Sequence, residues 1–391
     1  MTSNIYSKFR RITTNQLYFP EIDGIRFLAI VLVVLFHTHG YFMGKSTTPF
    51  TDDPASYHAV NAFLTHGDRG VQLFFVLSGF VLCLPFAHHY LNNGKKISLK
   101  KYYLRRVTRL EPPYFIAMTA TFLLAAAMQV KPLSVLFPSW LASLVYSHNI
   151  IFHRAPFITV VAWSLEIEIQ FYLLAPLLFR LLTLHKITRR FILCAAAIAF
   201  TLLQWNYTPP FISIYNFIQY FLIGILLADV YVSGEAAELM NKPSIIPTAA
   251  IALAAICFLP VRSALYAVLL FPFLIGFFYY IVLKNNVVKK IFSYKFVPII
   301  GGMCYSIYLL HYTIISVVGR VSLHIHITNY YLPNLLLQIV LIGIPVLLLS
   351  SVFYFYIERP FMSSKWLNML MKKDKKERDV YTNPISEEMQ K

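Results

Sequence analysis

Arg26 and His37 stand eleven positions apart in the first apolar stretch of the chain, DGIRFLAIVLVVLFHTHGYF. On an α-helix that interval is about 20° beyond three full turns and about 16 Å along the axis. Both side chains therefore leave the same face, the guanidinium near one end of the stretch and the imidazole toward the other. A guanidinium fork suits phosphate or carboxylate, and an imidazole can exchange a proton near neutral pH. Together they would hold an anionic ligand at one end and move a proton at the other. Each also has a plainer use: Arg26 as an interfacial cation with its head in water, His37 as a hydrogen-bonded packing residue.

Three further clusters place polar groups where their surroundings are apolar, and an ionisable residue there is costly enough to be a functional candidate by default. In KKYYLRRVTRL, Arg106 and Arg109 lie three apart on one helical face. They could grip the phosphates of a soluble cofactor or of lipid headgroups, or serve as membrane-anchoring cations. In WSLEIEIQFYLLAPL, Glu166 and Glu168 are two apart, about 200° around a helix, so only one of them faces a given interior site. Trp163, Glu166 and Gln170 share one face; Ser164, Glu168 and Tyr172 share the other. In GMCYSIYLLHYTII, Tyr308 and His311 are three apart and read as a polar helix contact. The Ser78-Gly79 step in GVQLFFVLSGF suits close helix packing.

These residues need elements to hold them, and composition restricts what the elements are. Of 391 residues, 58% are hydrophobic and only 13% charged, against about 25% charged in soluble domains. So little polar surface cannot cover a water-soluble globule. The expected fold is all-α, a polytopic transmembrane bundle. Ten apolar runs cover roughly 25–43, 70–90, 112–130, 158–183, 191–205, 211–231, 245–260, 263–283, 297–320 and 331–357. The net charge of +17 would suggest nucleic acid in a soluble protein, but a membrane protein keeps Lys and Arg in its cytoplasmic loops. With an even number of spans and an inner N-terminus, only Lys45, Arg69, Lys131, Arg154, Arg262 and Arg320 of the 34 basic residues fall outside. Both termini are therefore expected in the cytoplasm.

Residues 1–24 form the expected cytoplasmic N-terminal tail, with Lys8, Arg10 and Arg11 ahead of an uncleaved signal anchor. Residues 25–357 form the membrane domain, and 358–391 a basic cytoplasmic tail containing KKDKKERD. The long outer segment 131–157 is half apolar and a candidate for re-entering the membrane. Cys83, Cys194, Cys257 and Cys304 lie in apolar stretches without ligand spacing, so neither a disulfide framework nor a metal site is expected. There is no visible repeat, GxGxxG, phosphate-binding loop or nucleophile elbow.

Several segments, in order, resemble acyltransferase family 3, the integral-membrane enzymes that move short acyl groups from acyl-CoA to sugars and related acceptors. DGIRFLAIVLVVLFH resembles the family's opening motif with Arg-x10-His; GVQLFFVLSGF resembles its second-span motif; RRVTRL resembles its Arg-x-x-Arg; WSLEIEIQFYLL resembles its Trp-Ser-Leu-x-Val-Glu-Glu-Gln-Phe-Tyr. YSIYLLH and IERPF resemble family segments near the C-terminus. Gln72 and Ile169 depart from the pattern, standing where many members have Asp and a second Glu. The alignment keeps Glu168 as the first Glu, which tips the choice between the two glutamates toward it.

The resemblance implies a membrane-bound O-acyltransferase, with acetyl-CoA the expected donor and no permanently bound cofactor. The acceptor would be a sugar or envelope glycan at the outer side of a bacterial inner membrane, and the partners would be membrane lipids but no nucleic acid. His37 would be the general base or transient acyl carrier, with Glu168 orienting it or stabilising the imidazolium. Arg26, Arg106 and Arg109 would hold acyl-CoA. No soluble esterase-like domain follows the last run, as it does in some members, so hydroxyl chemistry is expected to finish within the membrane domain. The alternative is a proton-coupled transporter, in which His37, Glu168 and His311 relay protons and the arginines hold an anionic substrate.

Overall fold

The computed structural model describes residues 18–46, 50–261 and 263–362. The cationic N-terminal flank with Lys8, Arg10 and Arg11, Arg262, and the KKDKKERD tail lie outside the described residues. Among the described residues the architecture is helical, without a β-strand. The elements that matter for the site are α1 (Pro20–Lys45), α2 (Arg69–Leu91), α3 (Leu99–Ala127), α4 (Leu133–Leu144), α5 (Trp163–Leu178), α6 (Lys186–Asn206), α7 (Ile218–Ser233), α8 (Ile245–Phe258), α9 (Leu265–Lys284), α10 (Cys304–Ser322) and α11 (Tyr331–Phe353).

Each of the ten apolar runs coincides with helix over most of its length. Seven stretches among the described residues are long and apolar enough to cross a bilayer: Pro20–Lys45, His58–Leu91, Leu99–Ala127, Lys186–Asn206, Leu265–Lys284, Cys304–Ser322 and Tyr331–Phe361. The other three runs form shorter helices. Those of α7 and α8 have 16 and 14 residues, about 24 and 21 Å at the helical rise, against a hydrocarbon core of about 30 Å. The third run is broken, with α5 set between a 3-10 turn at Val160–Ala162 and another at Phe179–Thr183. Phe191, Val321, Leu348 and Leu173 remain more than 60% exposed on helix faces, as side chains do when their solvent is lipid.

Two boundaries differ from the hydropathy pattern in ways that shape the site. The run expected at 112–130 belongs to a 29-residue helix that begins at Leu99, so Arg106 and Arg109 lie on the same continuous helix as the span. The run at 297–320 breaks at Met303 into Phe296–Gly302 and α10. A backbone crossing lies beside the break. A Cβ on Gly301 would lie 1.7 Å from the Asp23 carbonyl oxygen of α1, a contact that only glycine permits. The same device joins α2 to α7, where a Cβ on Gly79 would come within 2.4 Å of the Phe221 carbonyl oxygen and one on Gly224 within 2.2 Å of that of Val76. Segment 131–157 folds as α4 and a short helix, His148–Phe152.

Charged residues at the end of the bundle carrying the α6 N-terminus are cross-linked. Asp229 is fully buried and accepts from Arg189 Nε at 2.9 Å and Nη2 at 2.6 Å, and pairs with Arg190. In the adjoining loop, hydrogen bonds from Arg190 and Lys186 hold the half-buried Glu235 carboxyl down at about 2.

Candidate active site

A cavity of about 200 Å³ opens among α1, α2, α3, α5 and α10. Its lining includes Arg26, Arg106 and Arg109 together with Ser78, Ser164, Glu168, Tyr172, Cys304, Tyr305 and Tyr308. The structure thus brings together four of the five residues singled out in the sequence. Arg26 is already engaged, forming an ion pair with the buried Asp23 one turn earlier on α1. Arg106 lies with its guanidinium 4.9 Å from the Tyr102 ring centroid, its Nε has no hydrogen-bond partner, and it experiences the charge of Glu168. A buried donor without a partner is costly, and an anionic ligand entering this part of the cavity would satisfy it.

The two glutamates of α5 part company as the 200° between them requires. Glu166 is 1% exposed and turned away from the cavity, accepting the Asn149 backbone N–H at 2.9 Å. Its face-mate Gln170 accepts from the Ile214 N–H at 2.8 Å. Glu168 looks into the cavity, where the Ser78 hydroxyl donates to it at 2.7 Å. Ser78, read from sequence as a packing step, is therefore also a ligand of this carboxylate, while Gly79 beside it makes the helix contact. Ser164 and Tyr308 share a short hydrogen bond of 2.5 Å, and both hydroxyls lie within reach of the Val161 carbonyl, at 3.2 and 3.0 Å.

His37 is not among the lining residues. Its ring meets His311, with His311 Nε2 and His37 Nδ1 3.3 Å apart. Tyr312 packs edge-on against it, and Asp68 is the carboxylate whose charge reaches it. The structure thus gives His37 a histidine neighbour, and Glu168 a serine.

The hydrogen bonds fix the tautomers, because a carbonyl oxygen only accepts. His311 Nδ1 lies 2.8 Å from the Tyr308 carbonyl and 3.1 Å from that of Ile307, so Nδ1 carries the proton and Nε2 offers a lone pair. His37 Nδ1 lies 2.9 Å from the Val33 carbonyl and likewise carries a proton, shared between that oxygen and His311 Nε2. His37 Nε2 is left as the basic atom. Tyr308 connects this pair to the cavity, since it is part of the wall and its ring centroid is 5.6 Å from that of fully buried His311. Sequence spacing paired Tyr308 with His311 but gave no sign that His37, 274 positions away, completes the group. Among the described residues no cluster of three or more His, Cys, Asp or Glu side chains could hold a metal ion.

Comparison with known proteins agrees with this arrangement of motifs. Residues 19–355 match the family described as an acyltransferase domain. The chain belongs to acyltransferase family 3. Among curated relatives, the peptidoglycan O-acetyltransferase OatA of Listeria monocytogenes is 25% identical over 383 residues, covering 90% of this chain and 57% of that protein. The O-acetyltransferase OatA of Staphylococcus aureus is 25% identical over 368 residues, covering 82% of this chain and 56% of that protein. A putative O-acetyltransferase of Staphylococcus aureus is 24% identical, covering 91% and 58%. The chain thus spans somewhat more than half the length of these relatives. No solved structure matches.

Proposed function

We propose that this acyltransferase moves an acyl group, acetyl in the first instance, from cytoplasmic acyl-CoA to a hydroxyl of an envelope glycan at the outer face of a bacterial inner membrane. In this reading all ten apolar runs cross or enter the bilayer, both termini are cytoplasmic, and the residues outside 25–357 are the inner flanks.

One observation carries the proposal: a single cavity holds Arg26, Arg106 and Arg109 together with Glu168 and reaches Tyr308, which packs on the His311–His37 pair. The coenzyme's phosphates would sit among the guanidiniums, with Arg106 and Arg109 supplying the charge-assisted bonds and Arg26 oriented by Asp23. The flexible arm of the coenzyme would run outward beside α1 and bring the thioester toward His37. His37 Nε2 takes the proton of the acceptor hydroxyl as its oxygen attacks the thioester carbonyl. The carbon–sulfur bond breaks, and the departing thiolate takes from His37 Nε2 the proton that the hydroxyl gave up, which restores the neutral base. Until then the positive charge on His37 is stabilised by His311 Nε2, which accepts from Nδ1. Glu168, braced by Ser78, polarises the same cavity. The relatives' names support a glycan acceptor.

The deciding experiment is thiol release from acetyl-CoA by the purified full chain in liposomes, with and without glycan fragments. Protein-dependent release is expected, and an intact thioester under all conditions would overturn the reading. The arginines give a second expected result. Membrane anchoring depends on charge and tolerates Lys, whereas bidentate phosphate binding needs the guanidinium fork. The Arg106→Lys, Arg109→Lys double variant should insert normally but bind CoA about tenfold more weakly, the size of one lost charge-assisted bond. Equal affinity in isothermal titration would return both residues to anchoring.

A further inference from the structure

The long helix α11 passes into a π-helical turn, Tyr354–Glu358. A π turn adds one residue to the helical register and turns everything after it by about one residue's rotation. Here the turn ends on Glu358, 1% exposed, whose Oε2 accepts the Ser306 backbone N–H at 3.1 Å and the Ser306 hydroxyl at 2.5 Å. Ser306 is the third residue of α10. Its N–H is one of the four at a helix start that no intrahelical carbonyl can satisfy, and a carboxylate there also complements the positive end of the helix.

The front of this helix carries the chemistry. Tyr308 and His311 leave α10 about 200° and 140° around from Ser306, so Glu358 grips the back of the helix whose front meets the cavity and His37. The 3.3 Å approach of His311 to His37 depends on the rotation and depth of α10. Tyr308 and His311 are rigidly set by the same helix, and the Glu358 clamp lies within two turns of both.

We propose that Glu358 is a positioning residue for acyl transfer: it fixes the rotation of α10 and, through it, the contact of His311 with His37. The inference rests on the reading of His37 as the base. It explains why a carboxylate that is not itself in the cavity wall is kept buried at the far end of the last helix, against Ser306.

The test measures kcat and KM for acetyl-CoA in the purified full chain with Glu358→Gln and Ser306→Ala, each in the parent and in a His311→Ala background. Glu358→Gln removes the charge at nearly constant volume. A fall of about tenfold in kcat with KM within about twofold is expected in the parent, the size of one lost charge-assisted bond, and no further fall in the His311→Ala background. Equal proportional losses in both backgrounds, or parental kcat, would overturn the proposal. Hydrogen exchange of the 304–311 amides, measured without substrate on variants of matched global stability, reads the same clamp independently. Faster exchange confined to that turn is expected with Glu358→Gln, and unchanged exchange overturns the inference. A parent that leaves acetyl-CoA intact would retire the acetyl-transfer reading, and the exchange measurement would then decide alone on the clamp.

Discussion

His37→Ala should lower acetyl transfer from acetyl-CoA by roughly 10²- to 10⁴-fold, the usual cost of removing a general base, while expression, insertion and thermal stability stay close to parental. The structural side of this expectation is specific. His37 is partly exposed, its Nδ1 hydrogen is spoken for by Val33 and His311, and Nε2 retains the lone pair. Removing the ring gives up its contacts with Phe36, His311 and Tyr312 at a partly exposed position and takes away the basic atom. His37→Gln refines the test, because it keeps a polar side chain of similar reach with no basic nitrogen, and it should be as inactive as the alanine variant. His311→Ala should be milder, since it leaves the base in place and deletes only the group that orients and stabilises it. Near-normal transfer by a well-folded His37→Ala protein would remove the residue from the mechanism, and equal defects in all three variants with lost stability would assign the pair to packing.

What could be read from sequence follows the range of the interaction. Helix geometry is local, so the 200° separating Glu166 from Glu168 sufficed to predict that they face different surroundings, and the run Ser164, Glu168, Tyr172 to predict a common polar face. The same holds for Arg106 and Arg109, three apart on one face. Contacts between spans are another matter. His37 meets His311, Ser78 meets Glu168 and Ser306 meets Glu358 because helices pack in a particular order and rotation. Ten similarly apolar runs carry no information about which abuts which. Small residues hold some of that information. Gly79 and Gly224 permit α2 and α7 to touch backbone to backbone, and Gly301 lets the Phe296–Gly302 helix cross α1. Gly79 could be noticed from its serine neighbour, but its partner could not. The break at Met303 escaped hydropathy entirely, since apolar residues stand on both sides of it. That break starts α10 where Glu358 can cap it.

The two glutamates provide the sharpest contrast within one helical turn. Glu168→Gln should cut the rate by about 10² or more, the usual loss when a charged group preorganised toward developing charge is neutralised, with little change in melting temperature because Gln can still accept from Ser78. Glu166→Gln should behave oppositely. Glu166 is buried against the His148–Phe152 helix and holds the Asn149 N–H. An amide oxygen can keep that bond while losing its charge-assisted part, about 1 kcal/mol, which should register as a lower melting temperature and a nearly parental rate per folded molecule. Measuring rate and melting temperature on both variants therefore yields two opposite signatures from residues two positions apart. A reversed pattern would place the functional carboxylate on the Trp163, Glu166, Gln170 face. Equal losses of rate would mean that α5 acts as a unit, with neither carboxylate having a separate role in the cavity.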